Sequence, residues 1–386
     1  MTKSMMKELS GLCGLAALMS WRKSRWAALG FSTTSGLLML SQLGAGDTFE
    51  NQSVVITGGS RGLGLALAKQ LASERAKLTL LARDGEELQR ASRVIRDSYP
   101  GTPILTIACD VTQDHAVAEA LKRASNTFGG IDMVINNAGS ITVGPYECMT
   151  KEDFEAQMNL HFYAVMNVIN RALPYLRAGN GKRIVNICSM GGRVAVPHML
   201  PYDASKFALS GYSQGLMAEL APEGISVTTI YPTVMRTGSP IQAVFKGDHE
   251  KEFAWFQMVD VLPFISMSAD SAARKIVEAA RTRRAELMPS LAARARMIAA
   301  GFMPELVAST MKLVAAAMPK GTSMYHKTGA QSRALFDKTE AARGLRKRAH
   351  EAERKWNQRP RHTAKFNMGL KKTRHESDLK EGFQVH

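Results

Sequence analysis

Tyr202 and Lys206 stand four residues apart, a spacing that puts both side chains on one face of a helix. A free tyrosine exchanges protons slowly at neutral pH because its ordinary pKa is about 10. A lysine one turn away can lower that value by placing a cation beside the phenolate. Such a pair suits proton transfer to or from an oxygen that is becoming, or ceasing to be, a hydroxyl. Ser189, at the end of an apolar run, would hydrogen-bond the same oxygen, polarising it and fixing its angle. A proton donor is half of a carbonyl reduction, and the other half is a hydride delivered to one face of the carbon by a nicotinamide. The place for such a group is marked where the apolar run Val54-Val55-Ile56 meets Thr57-Gly58-Gly59-Ser60-Arg61-Gly62-Leu63-Gly64. Gly58 lets the chain turn sharply, Gly62 removes a Cβ where a pyrophosphate must approach, and Gly64 allows the next helix to pack closely. The N–H groups that open that helix then face the anion, with the positive end of its dipole behind them.

The elements that must position these residues can be read from the hydrophobic pattern. From Ser53 onward, short β-branched runs alternate with longer helical stretches, the pattern of βαβ units and a parallel sheet. Strands are expected at 53–57, 77–82, 103–109, 131–136, 182–188, 225–231 and 285–288. Helices are expected at 62–73, 84–98, 113–127, 151–177, 203–221 and 269–283. Runs such as Ile184-Val185-Asn186-Ile187 are nearly apolar throughout, which fits a sheet covered on both faces. The expected fold is therefore α/β: a Rossmann-type, doubly wound parallel sheet of about seven strands, followed by a C-terminal helical extension.

Further residues stand at set distances from the glycines. Asn136-Asn137-Ala138-Gly139 ends the fourth strand, Asn159 lies inside a long helix, Ser189 ends the fifth strand, and Tyr202 precedes Lys206. Together with the glycine turn, they resemble the short-chain dehydrogenase/reductase superfamily over about residues 52–290, and within it the NADP-preferring carbonyl reductases. The whole chain, with its apolar leader and the segment from Thr237-Gly238-Ser239-Pro240 to Trp255-Phe256, resembles a bacterial group of that superfamily. The resemblance implies that Asn159 keeps a water for a proton relay and that Lys206 also holds the nicotinamide ribose. It implies dinucleotide contacts from Thr57, Gly58, Ser60, Arg61, Gly62, Leu63 and Gly64, from Asn137, Ala138 and Gly139, and from Pro232. Asp110 and Val111 would meet the adenine, and Thr237 the carboxamide. A homodimer or homotetramer is likewise implied. Where relatives carry Pro-Gly, this chain has Pro232-Thr233, and a threonine forbids backbone conformations that glycine allows.

Cofactor choice turns on the residues just past the second strand. Sites that accept NAD(H) place a carboxylate about 20 residues past the glycines, and Asp84 has that spacing. Asp84-Gly85-Glu86-Glu87 also reads as a capping box. Arg83 beside it and Arg61 in the glycine turn offer two cations for a 2′-phosphate, so NADP(H) is preferred. Asp110 can equally be read as the cap of helix 113–127. The stretch 238–265, with Phe245, Phe253, Trp255, Phe256 and Phe264, stands where a substrate lid would, and it suggests a hydrophobic carbonyl or alcohol substrate.

Among 386 residues, 45% hydrophobic and 22% charged exclude wholesale disorder. Cys13, Cys109, Cys148 and Cys188 have no metal-ligand spacing, which argues against a zinc site or a disulfide framework. Four regions are expected: an apolar leader 1–46, the nucleotide-binding domain 47–290, a helical extension 291–330 and a basic tail 331–386, helical over 338–355 and otherwise disordered. Much of the net charge of +16 falls in that tail, which reads as a solvated appendage and not as a specific nucleic-acid site. In the leader, the run from Trp26 to Gly46 has no charge and is long enough to span a bilayer, though hydroxyl residues and glycines dilute it. The expectation is membrane association with the catalytic domain facing the cytoplasm, the alternative being a soluble cytoplasmic protein. The competing functional class is a non-catalytic dinucleotide scaffold or redox sensor, which would have no use for the Tyr202/Lys206 pair.

Overall fold

A computed structural model of the chain describes residues 48–261, 266–339 and 343–358; the leader, Phe264 and the tail beyond Gln358 lie outside the described residues. In chain order, β1 (Ser53–Thr57) leads into α1 (Gly62–Ser73), β2 (Lys77–Ala82), α2 (Gly85–Ser98), β3 (Ile104–Ala108), α3 (Asp114–Phe128) and β4 (Met133–Asn136). Next come the short β5 (Thr142–Val143), α4 (Lys151–Met158), a π-helical turn Asn159–Tyr163, and α5 (Ala164–Ala178). After them follow β6 (Arg183–Ile187), α6 (Leu200–Leu220), β7 (Ser226–Ile230), β8 (Met235–Arg236), β9 (Val244–Phe245) and α7 (His249–Val261). The remainder is β10 (Met267–Ser268), α8 (Ala269–Arg281), β11 (Glu286–Leu287), α9 (Leu291–Phe302), α10 (Pro304–Ala317) and β12 (Lys327–Thr328), then α11 (Gly329–Ser332), α12 (Ala334–Lys338) and α13 (Arg343–Lys355).

Seven parallel strands form the main sheet in the order β11-β7-β6-β4-β1-β2-β3. The chain winds outward from β1 in both directions, so the turns after β1 and β4 lie side by side at the switch point where such sheets bind ligands. Alternation along β1 assigns its side chains to two cores. Val54 and Ile56 pack with α1 and α8, while Val55 packs with α3, α5 and α6. The expected fold class is thus the observed one. The helix expected over 151–177 is interrupted by the π turn at Asn159, which a 3.6-residue pattern does not reveal.

Local chemistry sets several boundaries. Asp84 accepts the Glu87 N–H at 3.0 Å and so caps α2. Thr150 and Asp153 form a reciprocal capping box on α4. A third core joins Phe245 and Phe253 with Phe336 from α12 and Ala349 from α13. The helix expected over 338–355 is found at Arg343–Lys355, but the described chain from 331 to 358 is folded against the domain and not solvated as expected, because Phe336, Ala349, Ala352 and Trp356 have apolar surface to bury. Helix α9 joins the second core through Ala293 and Met297, while α9 and α10, bent by 118° to one another, leave Ile298, Phe302, Leu306 and Leu313 exposed.

The tightest backbone approach is at the start of α1. A Cβ added at Gly64 would lie 2.1 Å from the Gly58 carbonyl oxygen and 2.7 Å from Asn137 Nδ2. Gly64→Ala should therefore cost about 1–3 kcal/mol by overpacking. A Cβ at Gly85, the first residue of α2, meets only Ala108 Cβ at 4.0 Å, so Gly85→Ala should be neutral or slightly stabilising. Urea unfolding of both variants checks this; equal midpoints would mean that α1 has room to shift.

Candidate active site

The glycine turn is cross-braced to the turn after β4. Thr57 Oγ1 accepts the N–H groups of Asn137 and Ala138 at 2.9 and 3.0 Å. Asn137 returns its side-chain amide to the carbonyls of Thr57 and Gly58, each at 3.0 Å. Gly58 and Gly62 lie in the left-handed region at φ +64° and +57°. A Cβ at Gly58 would stand 2.9 Å from Ala138 Cα, so that position is closed to larger residues on both grounds. A Cβ at Gly62 would be 3.7 Å from Thr237 Cβ, which brings the segment after β7 against the glycine turn. This concave strip of backbone at a helix N-terminus fits a dinucleotide phosphate. The Gly62 N–H is engaged by the Trp356 carbonyl at 3.0 Å.

The second group of residues hangs on α6. Tyr202 and Lys206 are both buried, with the Lys206 ammonium 5.7 Å from the centre of the tyrosine ring. Lys206 Nζ donates to the Ile187 carbonyl at 3.0 Å, and Ser189 accepts the Gly191 N–H at 3.0 Å. Gly191 and Gly192 let the turn after β6 press against α6. Added Cβ atoms there would stand 2.3 Å from Asp203 Oδ1 and 2.6 Å from the Lys206 carbonyl oxygen. Below the site, Asn136 donates to Asn186 at 2.8 Å, and Asn186 donates to Ser213 at 2.9 Å. This buried polar ladder ties β4 and β6 to α6.

Sequence reasoning missed His161. The π turn rotates its ring inward, fully buried and edge-on to Tyr202 with ring centres 5.3 Å apart. Its Nε2 accepts the Ser140 N–H at 3.3 Å, which leaves Nδ1 to donate to Ser205 Oγ at 2.8 Å. Ser205 in turn donates to the Tyr202 carbonyl at 2.6 Å. Burial, aided by the Lys206 charge, holds the imidazole well below its ordinary value and so neutral. A Cβ at Gly139 would reach His161 Nε2 at 3.1 Å, so Gly139 makes room for the ring. The only signal in the sequence was a histidine two residues after Asn159.

Electrostatics at the pair differ from expectation. Burial raises the Tyr202 phenol above its ordinary range, and a hydrogen bond from Ser189 only partly opposes this. Burial also lowers Lys206, to about 8. Desolvation, not the lysine charge, is therefore the largest influence on the tyrosine. Next to it, burial raises Asp203 to about 8, against the Val196 N–H that its carboxylate accepts at 2.7 Å.

Other expected residues are placed less directly. Asn159 opens the π turn but is exposed, with no hydrogen bond to Tyr202 or Lys206 among the described residues. Arg61 pairs with Glu87 at 2.8 Å, and Glu87 also accepts from Ser60 at 3.1 Å; Arg83 is exposed just past the end of β2. Asp110 does not cap α3, whose N-cap is Gln113; its carboxylate accepts from the N–H and hydroxyl of Thr112. Leu63 and Val111 are buried, and the Pro232 carbonyl accepts the Met190 N–H at 3.0 Å. Thr237 is buried one residue before Gly238. Thr233 is not among the described residues with positive φ, so the backbone there makes no demand for glycine; its buried hydroxyl has no hydrogen-bond partner among the described residues. The aromatic lid is a correction: Phe245 stacks edge-to-face on Phe253 and Phe256, and Phe253 on Phe336. Phe245, Phe253 and Phe336 are buried in the third core, and Phe256 is half-buried against it.

Comparison with known proteins agrees with this geometry. A family model described as short chain dehydrogenase matches residues 52–244. Oxidoreductase BOA17 of Botryotinia fuckeliana is 35% identical over 190 residues, covering 48% of this chain and 68% of that protein. A 3-ketodihydrosphingosine reductase of Bacteroides thetaiotaomicron is 34% identical over 187 residues, covering 48% of this chain and 65% of that one. The crystal structure of a short chain dehydrogenase from Burkholderia cenocepacia in complex with NADP superposes with a TM-score of 0.54 at 29% identity, covering 63% of this chain and 97% of that one.

A lysine whose folded pKa lies below its ordinary 10.5 opposes folding at neutral pH. The unfolded chain binds the proton more tightly, so the penalty is complete below about pH 8 and fades as pH rises toward 10.5. Lys206→Met should therefore unfold at a higher denaturant concentration than the parent at pH 7, with the gap narrowing between pH 8 and 10. A gap that stays constant over that window would show that Lys206 is not depressed.

Proposed function

The chain belongs to the short chain dehydrogenase family, and from that premise we propose that it is an NADP(H)-dependent oxidoreductase that interconverts a carbonyl and an alcohol on a hydrophobic substrate. The observation that carries this reading is the burial of Tyr202, Lys206 and the Ser189 turn together on α6 and the end of β6, in a domain whose glycine turn fits a dinucleotide. When bound, the nicotinamide supplies or accepts the hydride. Ser189 donates to the substrate oxygen and fixes its direction. Tyr202, held above its ordinary value, keeps its proton at neutral pH and releases it only to a strongly basic oxygen, such as the alkoxide of a reduced carbonyl. Lys206, at about 8, is still mostly an ammonium at neutral pH and stabilises the phenolate that this transfer leaves. His161 holds Tyr202 in place through its ring edge and through Ser205. Asn159 is assigned the water of a proton relay on the family resemblance.

NADP(H) is preferred over NAD(H) because Arg61 and Arg83 supply cations near the end of β2, with Glu87 giving up part of its hold on Arg61 to the 2′-phosphate. The NADP complex of the Burkholderia enzyme supports the same choice. The name of the Bacteroides relative points to long-chain 3-oxo compounds as the first substrate class to test. A homodimer or homotetramer is proposed on the same family footing.

We also assign the protein to a membrane surface, with the catalytic domain on the cytoplasmic side. Among the described residues no single helix is long and apolar enough to cross a membrane, although α9 and α10 together meet that test by length and composition. What supports the reading is the apolar leader and the exposure on that bent pair of Ile298, Phe302, Leu306 and Leu313.

Tyr202→Phe should lower kcat by about 10²–10⁴ in NADPH-dependent reduction of a long-chain 3-oxo ester, while NADPH affinity stays within about twofold. The parent should show a far higher KM for NADH than for NADPH. Full turnover in the variant would remove Tyr202 from the chemistry, and equal KM values would remove the 2′-phosphate assignment. In liposome flotation the full chain should rise with the vesicles, and Phe302→Asp combined with Leu313→Asp should leave at least about half of it behind. A parent protein that remains at the bottom of the gradient overturns the membrane assignment.

A further inference from the structure

The segment Arg343–Gln358 reaches the glycine turn from far along the chain, well beyond residue 244, where the family match ends. Just past the last turn of α13, Asn357 takes a left-handed conformation at φ +57°, and the Gln358 N–H returns to the Glu353 carbonyl at 2.9 Å. This is a left-handed C-terminal cap. A helix that ends in this way still presents carbonyls without intrahelical partners and carries the negative end of its dipole. One of them, from Trp356, accepts the Gly62 N–H at 3.0 Å at the positive end of α1. A helix C-terminus thus sits where the N-terminus of α1 would draw a phosphate oxygen.

The rest of the contact is built around that bond. Asn357 donates to the carbonyls of Ser60 and Glu87 at 2.9 and 3.2 Å, and accepts from Arg90 at 3.2 Å. Gln242 donates to the Gln358 carbonyl at 2.6 Å. A Cβ at Gly62 would meet Gln358 Nε2 at 3.0 Å, and one at Gly238, beside Thr237, would meet Glu353 Cα at 2.7 Å. The segment therefore covers the glycine turn and the segment after β7 together, while Trp356 and Ala352 anchor it in the core under α1 and α8.

We propose that residues 356–358 are an internal competitor for the dinucleotide pyrophosphate, so that cofactor binding requires this strap to leave the glycine turn. The inference rests on the dinucleotide reading of that turn. The Trp356 carbonyl and a phosphate oxygen would compete for the Gly62 N–H and, both being acceptors, repel one another there, so occupancy by one disfavours the other. Apparent cofactor affinity is then reduced by the fraction of molecules in which the strap is open. Loosening the strap at a residue that does not belong to the catalytic or phosphate-binding set raises that fraction and tightens binding.

The test uses the full chain and NADPH. Titration by NADPH fluorescence should give a Kd about three- to tenfold lower for Asn357→Ala than for the parent, and a change in the same direction for Gln242→Ala. Hydrogen exchange by mass spectrometry should show faster exchange in peptides covering 343–358 when NADPH is saturating. Slower exchange there would make the segment a clamp on the bound nucleotide and overturn the proposal, as would unchanged exchange with unchanged Kd values. If neither NADPH nor NADH binds the parent or either folded variant, the dinucleotide reading itself fails and takes this inference with it. Binding without strap release overturns only the inference.

Discussion

The approach of α1 to the end of β1 governs the rest of the site. With no Cβ at Gly64, the first turn of the helix lies against the Gly58 carbonyl, and Asn137 fills the remaining gap by donating to Thr57 and Gly58. Two turns from distant parts of the chain are thereby braced into one unit. Each of these hydrogen bonds contributes only about 0.5–1.5 kcal/mol net, but together they leave the backbone little freedom. An anion site made of backbone depends on that, because its donors have no rotamers with which to adjust.

Around α6 the governing effect is desolvation. Tyr202, Lys206, Asp203 and His161 are all buried, and burial pushes each toward its neutral form. A tyrosine that retains its proton and a lysine that is still mostly charged at neutral pH form a pair in which the ammonium can stabilise the phenolate once a basic oxygen takes the proton. The cost of burying them is limited by hydrogen bonds to fixed backbone groups, Ile187 for Lys206 and Val196 for Asp203. The polar ladder from Asn136 to Ser213 ties α6 to the sheet, and the His161–Ser205 link ties it to the π turn, which keeps that buried environment constant.

The C-terminal part of the chain uses the same physics in reverse. A helix N-terminus that attracts anions will also attract the carbonyl end of another helix, and α13 ends on it. The fold thus contains both the donor strip and an acceptor matched to it. The aromatic residues between them hold α12 and α13 in place through the core formed by Phe253, Phe336 and Ala349.

The alternation of β-branched runs with helical stretches, the glycines of the turn and the four-residue spacing of Tyr202 and Lys206 were legible in the sequence because each is a local requirement. A sheet buried on both faces needs apolar runs, a left-handed turn needs glycine, and one helical turn is four residues. Competition between partners was not legible. Whether Arg61 would wait for a 2′-phosphate or pair with Glu87, 26 residues on, is decided by which charge the fold brings nearer. Whether the lysine charge or desolvation would dominate at Tyr202 depends on how deeply α6 is buried. His161 entered the site because a π turn shifts the helix face by one residue, and no periodic pattern records such a shift. Phe245 and Phe253 look alike as lid or as core until a third ring, Phe336, is packed on them. The contact of Asn357 with Ser60 joins residues 297 positions apart, and only tertiary structure could bring them together.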